Sequence, residues 1–172
     1  MFSIRVAKAA DAIKIARIHV NRWRVTSWGR ISGAGRSVKQ RETFWRERLG
    51  KGKGSVFVIE SGDIVGFCDL VPSRDKDTDP KTVSEIAAVY VKSDDWRLGA
   101  GKALCYHVLS LARKQVCSAI IVWIGAANTD AMRFYDSLGF ARDGAIKIET
   151  APDGSNLYEN RYRIKLKRPD QT

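Results

Sequence analysis

Apolar side chains recur along this chain in two rhythms. Alternation with a period of two, or short apolar runs rich in β-branched and aromatic residues, predicts strands over residues 2–6, 55–60, 64–71, 82–91, 118–124, 141–150 and 157–167. A rhythm near 3.6 predicts a helix over residues 9–23, with Ala12, Ala16, Val20 and Trp23 along one face. It predicts another over residues 99–114, striped by Ala100, Leu104, Val108 and Leu111. Two further helices are announced by their ends. Ser37 with Gln40 three residues on forms a capping box before Val38, Phe44, Trp45 and Leu49. Asn128 opens a helix over residues 128–138 that Gly139 closes.

The turns fit between these elements. Ser61, Gly62 and Asp63 join two strands as a hairpin, and Pro152, Asp153 and Gly154 join the last two. Residues 24–36, with Gly29, Gly33 and Gly35, read as irregular and carry Trp28. Residues 118–124 are nearly all apolar, as expected for a central strand covered on both faces. Strand, helix and strand follow one another over residues 82–124, which predicts a parallel crossover. The fold class is α+β: one domain over residues 1–172, a mixed, mostly antiparallel central sheet and about four flanking helices.

Composition narrows the classes. A chain of 172 residues, 44% hydrophobic and 28% charged, has the makings of one soluble globule with a real core. Its longest mainly apolar run, residues 119–127, is too short to cross a bilayer, and residues 1–6 lack the apolar region of a signal peptide. Cys68, Cys105 and Cys117 are odd in number and follow no metal-ligand spacing. Reduced, buried thiols in a cytoplasmic protein are therefore expected. With only His19 and His107 present, each inside a helical pattern, no metal site is expected. Asp75, Asp77 and Asp79 have calcium-like spacing but lack the glycine and closing glutamate of an EF-hand loop, which predicts a solvated loop.

The net charge of +11 is uneven: residues 1–59 hold 14 basic side chains against 3 acidic ones, and residues 60–95 hold 4 against 9. An anionic partner is favoured. Nucleic acid is disfavoured, because no RNP, helix-turn-helix or zinc signature accompanies the charge. Self-association into a homodimer is left open.

The most informative stretch runs from Glu85 to Phe140. An apolar strand, residues 85–91, leads to Trp96-Arg97-Leu98-Gly99-Ala100-Gly101-Lys102, and this turn opens an amphipathic helix. A strand and the Asn128-led helix with Phe134, Tyr135, Leu138, Gly139 and Phe140 follow. Several backbone N–H groups would then converge as a pyrophosphate site requires. A Walker loop is excluded: Trp96 holds its first glycine position, and Ala103 stands where the hydroxyl residue belongs. A dinucleotide fingerprint is excluded too. Leu104 takes the third glycine position, and six residues separate Val91 from Leu98.

Taken together, these parts resemble the GNAT superfamily of acetyl-CoA-dependent N-acetyltransferases, over about a third of the chain and with weaker correspondence outside it. The resemblance implies a sheet with a splayed parallel strand pair, acetyl-CoA as co-substrate without a metal, and transfer to the amine of an unidentified small-molecule or protein acceptor. It implies that the main chain of Val89, Tyr90 and Val91 faces the pantetheine and the acetyl oxygen. Arg97, Leu98, Gly99, Ala100, Gly101 and Lys102 would hold the pyrophosphate. The family usually has Gln or Arg at the position of Trp96, so help from that side chain is not expected here. Asn128 would contact the pantetheine or pyrophosphate, and Tyr135 would stand beside the thioester sulfur as general acid. Glu85 is the implied general base, and a carboxylate entering an apolar strand is expected to lose water and gain basicity. No Ser or Cys has an evident basic partner, so direct transfer in a ternary complex is expected rather than a covalent intermediate. Trp28 is the better candidate for the acceptor pocket, while Trp23 and Trp45 read as core. The alternative is a catalytically silent module that binds acetyl-CoA and transfers nothing.

Overall fold

The capping box written in Ser37 and Gln40 is formed: the Ser37 Oγ accepts the Gln40 N–H at 3.2 Å, and the Gln40 Oε1 accepts the Ser37 N–H at 2.9 Å. Most other elements also begin within a residue or so of their sequence signal. The computed structural model describes residues 1–25, 37–51, 55–93, 98–151 and 153–167, and the side chains among these except at 22–25. In chain order they form β1 (Ser3–Val6), a 3-10 turn (Ala9–Asp11), α1 (Ala12–Val25), α2 (Val38–Gly50), β2 (Val56–Ser61) and β3 (Asp63–Pro72). Then come β4 (Val83–Val91), α3 (Ala100–Arg113), β5 (Ala119–Gly125), α4 (Thr129–Asp136), β6 (Ala141–Thr150) and β7 (Asn156–Lys165). The seven strands are ordered β1-β2-β3-β4-β5-β7-β6, and β4 and β5 are the parallel neighbours.

The chain divides into two compact units, residues 1–69 with 88–104 and residues 70–87 with 105–172. In the first, α1 and α2 cover strands β2 and β3 through Ile15, Ala16, Trp45, Val58 and Phe67. Trp45 is 1% exposed, and its indole N–H donates to the His19 Nδ1 at 3.3 Å. His19 is thus a satisfied core histidine, packed also against Phe67 and Tyr90. The first helix starts later than its pattern predicts because Asp11 ends a separate turn. Its Oδ2 accepts the Lys8 N–H at 2.7 Å, while both carboxylate oxygens bind Arg5. The Arg5 guanidinium, against the opposing effect of burial, holds the Asp11 carboxyl below its usual range.

In the second unit, β4 and β5 pair over Val83–Glu85 and Ala119–Ile121, and β5 then continues along β7 as far as the Gly125–Glu159 pair. Val83, Ala119 and Ile121 form a small core cluster there. The crossover helix α3 buries Leu104, Cys105, Val108, Leu109 and Ala112, whereas Leu111 is half-buried. The apolar stripe is wider than an every-fourth-residue reading and shifts toward Leu109 and Ala112, as a core-facing helix requires. All three cysteines are buried.

One expectation is overturned. The loop carrying Asp75, Asp77 and Asp79 is not simply solvated. The Asp75 side chain is 7% exposed, and its Oδ2 accepts from Arg161 Nη1 at 2.9 Å. Arg161 also binds Asp77 through two nitrogens at 2.7 Å each and Asp143 at 2.8 Å. The reason is topological: β7 lies between β5 and β6 and brings a buried guanidinium beneath the loop. A charge buried there needs partners, and the aspartates supply them.

Candidate active site

The end of β4 and the start of α3 belong to the first unit. Val91 is buried and Val89 half-buried. The Tyr90 ring is committed to the core, with centroids 5.2 Å from His19 and 5.7 Å from Phe67. Whatever Tyr90 offers a ligand therefore comes from its main chain. The Tyr90 carbonyl also passes so close to β3 that a Cβ at Gly66 would stand 2.9 Å from its oxygen. Glycine at 66 is thus what admits this strand path.

At the turn, Gly99 has φ +88°, a left-handed conformation natural to glycine, and nothing lies within 4 Å of where its Cβ would be. Leu98 is exposed, and Ala100, 1% exposed, anchors the first turn of α3. The helix ladder begins with the Ala103 N–H donating to the Gly99 carbonyl at 2.9 Å. Helical geometry leaves the N–H groups of Ala100, Gly101 and Lys102 without a carbonyl in the helix. Open space, small residues, these donors and the positive helix end fit a diphosphate, and the exposed Lys102 adds charge. The residues present therefore fit the phosphates of acetyl-CoA. Trp96 and Arg97 fall outside the described residues, as do Trp28 and the Trp23 side chain.

Asn128 and Tyr135 belong to the second unit, at the two ends of α4. Asn128 is its N-cap: the side-chain oxygen accepts the Ala131 N–H at 3.1 Å, leaving the exposed NH₂ group to a ligand. Tyr135, 7% exposed, is held edge-on between Phe134 and Phe140 at 5.1 and 5.3 Å. Its ring position is therefore fixed by packing, which leaves the hydroxyl as the chemical variable.

Glu85 lies in the same unit and is 3% exposed. It does not stand alone. Arg74 Nη2 approaches Oε1 at 2.5 Å, and Arg74 Nε approaches Oε2 at 3.2 Å, while the Arg74 side chain is two-thirds exposed. Glu85 opens onto a cavity of about 370 Å³. The sheet registers explain its walls. Glu85 pairs with Ile121, Trp123 follows two residues later opposite Arg161, and Glu159 stands opposite Lys147. Alternation places these side chains, with Glu149, on one sheet face.

Asp75 organises the cavity from behind. It accepts the Trp123 indole N–H at 3.1 Å, in addition to Arg161, and pairs with Lys147 at 3.1 Å. Lys147 Nζ rests 3.9 Å above the Trp123 ring. Burial opposes ionisation of Asp75, but Arg161 and Lys147 outweigh it and hold the carboxyl below the usual range. Glu159 goes the other way: burial and the neighbouring charge of Glu149 raise its carboxyl, with Lys147 opposing. The sequence reading missed Arg74, Asp75, Trp123, Lys147, Glu159 and Arg161. Of these, only Trp123 left a local sign, an indole N–H in an otherwise apolar strand that needed a partner.

No helix among the described residues is long and apolar enough to cross a membrane, and none of their His, Cys, Asp and Glu side chains cluster in threes as a metal would require.

Known proteins supply the context for this geometry. The chain is 30% identical over 156 residues to the uncharacterised N-acetyltransferase YuaI of Bacillus subtilis, covering 88% of this chain and 87% of that one. The yncA structure from Salmonella typhimurium, solved with its cofactor acetyl-CoA, superposes with a TM-score of 0.74 at 23% identity, over 96% of this chain and 94% of that one. A ribosomal-protein-alanine N-acetyltransferase from Brucella melitensis gives 0.76 at 24% identity, over 95% and 99%. These two likenesses show the fold, a mixed seven-stranded sheet with one parallel pair. The sequence model described as the Acetyltransferase (GNAT) family matches residues 18–140, and the chain belongs to that family.

Proposed function

We propose that this enzyme moves the acetyl group of acetyl-CoA directly to a primary amine held in the Glu85 cavity, both substrates being bound at once. The observation that carries this reading is a carboxylate 3% exposed, six residues before Val91 on β4, opening onto a cavity of about 370 Å³. In the proposed mechanism Glu85 takes the proton of the incoming ammonium through water, so that the free amine can attack the acetyl carbon. The main chain of Val89, Tyr90 and Val91 orients the pantetheine and polarises the acetyl oxygen. Gly99, Ala100, Gly101 and Lys102, with Leu98, Arg97 and the Asn128 amide, hold the phosphate end. Tyr135 gives its phenolic proton to the departing thiolate and regains one from the nitrogen as it becomes the amide; a phenol is protonated at neutral pH. Buried thiols support transfer without a covalent intermediate: burial pushes the Cys105 thiol up to about 12.

The test is thiol release from acetyl-CoA across a panel of amines and peptides. Release with one class of amine, and none without it, supports the reading. One observation favours a second reading, a silent module that binds acetyl-CoA without transfer: Glu85 already has a guanidinium partner in Arg74. Acetyl-CoA binding with no release from any acceptor would favour that module.

A further inference from the structure

We propose that Glu159 selects acceptors of positive net charge, as the carboxylate against which the substrate's cationic group is held. This rests on the cavity being the acceptor site of the proposed transfer. The chain carries a net charge of +11, yet the cavity is not basic once its ion pairs are assigned. Arg74 is engaged by Glu85, and Lys147 by Asp75. Arg161, on the same strand as Glu159, is engaged by Asp75, Asp77 and Asp143. Among the described residues, Glu149 and Glu159 have no ion-pair partner, and the lining holds three carboxylates against two cations.

Three further observations point to Glu159. First, the residue opposite it on β5 is Gly125, and nothing lies within 4 Å of where a Cβ there would be. A ligand can therefore lie along the carboxylate without displacing a side chain. Second, an alkylammonium already sits in this lining: Lys147 Nζ stands 3.9 Å above Trp123. The surface is thus chemically suited to the group the acceptor would bring. Third, burial together with the charges of Glu149 from β6 and Glu85 from β4 raises the Glu159 carboxyl, and Lys147 opposes this. An anion crowded by other anions gains most from an arriving cation. From β5 the facing side chain is the uncharged Trp123.

The experiment compares three four-carbon amines: 1,4-diaminobutane, butylamine and 4-aminobutanoate. Binding is read by calorimetry in the presence of coenzyme A, and transfer by thiol release with acetyl-CoA. Affinity should follow charge, the diamine binding at least about tenfold more tightly than the amino acid, the size of one charged hydrogen bond. Glu159→Gln should remove most of that preference, raising KM for the diamine by more than for 4-aminobutanoate. Equal binding of the three amines to the wild-type chain would overturn the proposal, as would a preference that survives Glu159→Gln. Should the variant fold poorly, diamine binding to the wild type still decides: it must weaken with salt and with falling pH as the carboxyl protonates. Glu159-dependent binding without thiol release would retire the transfer reading and keep the cation site. Release at equal KM from all three would do the reverse.

Discussion

Arg74 grips Glu85 with two nitrogens, at 2.5 and 3.2 Å, and adds its own backbone N–H at 3.4 Å. The Glu85 side chain is buried and the guanidinium side chain 67% exposed, so a buried anion is held by a solvent-facing cation. β4 fixes Glu85 in place, and Arg74 reaches it from the loop that follows β3. Glu85→Gln should keep fold and acetyl-CoA affinity and slow transfer near neutral pH by about 10²–10⁴-fold. Part of the rate should return at high pH as the free amine accumulates. Superimposable pH profiles for the two proteins would remove Glu85 from the chemistry.

Tyr135→Phe removes one oxygen and preserves a ring packed against Phe134 and Phe140. The turnover number should fall by about 10²–10⁴-fold while acetyl-CoA affinity stays near wild type. An unchanged turnover number with any accepted amine would leave Tyr135 as packing alone.

Gly101→Glu places bulk and negative charge among the N–H donors that open α3. The thermal shift given by acetyl-CoA should disappear, and the melting temperature without ligand should change little. A retained shift would mean that the phosphates bind elsewhere.

Arg161→Met leaves the Asp75 carboxylate, 7% exposed, without its guanidinium, a loss of about 3–5 kcal/mol at neutral pH. The sign of its pH dependence follows from the depressed carboxyls of Asp75 and Asp77. Their contribution is present in full above the ordinary value of about 4 and is lost as the pH falls through their lower folded values. Denaturant titrations should therefore show the gap between wild type and variant narrowing below about pH 4. A gap independent of pH would show that the loss comes from packing.

The Cys105 thiol is fully buried and pushed up to about 12. A thiol reagent should modify it at neutral pH only in unfolded protein, and Cys105→Ala should retain turnover. Rapid labelling of the folded chain would contradict both the burial and the absence of a cysteine intermediate.

The sequence foretold what local physics decides. Ser37 and Gln40 announced their helix because a capping box closes within four residues, and the apolar run of β5 announced a central strand. Gly99 marked the turn because backbone freedom is visible in residue identity. The cavity was not legible. Asp75 looked like one of three solvated aspartates until Arg161, 86 residues away in sequence, was seen to bind it. Glu159 and Lys147 read as ordinary strand residues, since only the β6–β7 register sets them opposite each other. Long-range pairing of this kind leaves no periodic trace along the chain.

The clamp on the Asp75 loop also imposes an order of assembly. Its guanidinium comes from β7, and two of the cavity's carboxylates come from β6 and β7, the last strands of the sheet to be synthesised. A chain emerging from the ribosome can complete the helix pair and hairpin of the first unit while Arg161 is still unmade. The Asp75 loop acquires its ties only when that strand docks, and contacts of such span form late because their loop closure is costly. The Glu85 cavity should accordingly take shape after the core of the first unit, and a nascent chain halted before Arg161 should have that core without it.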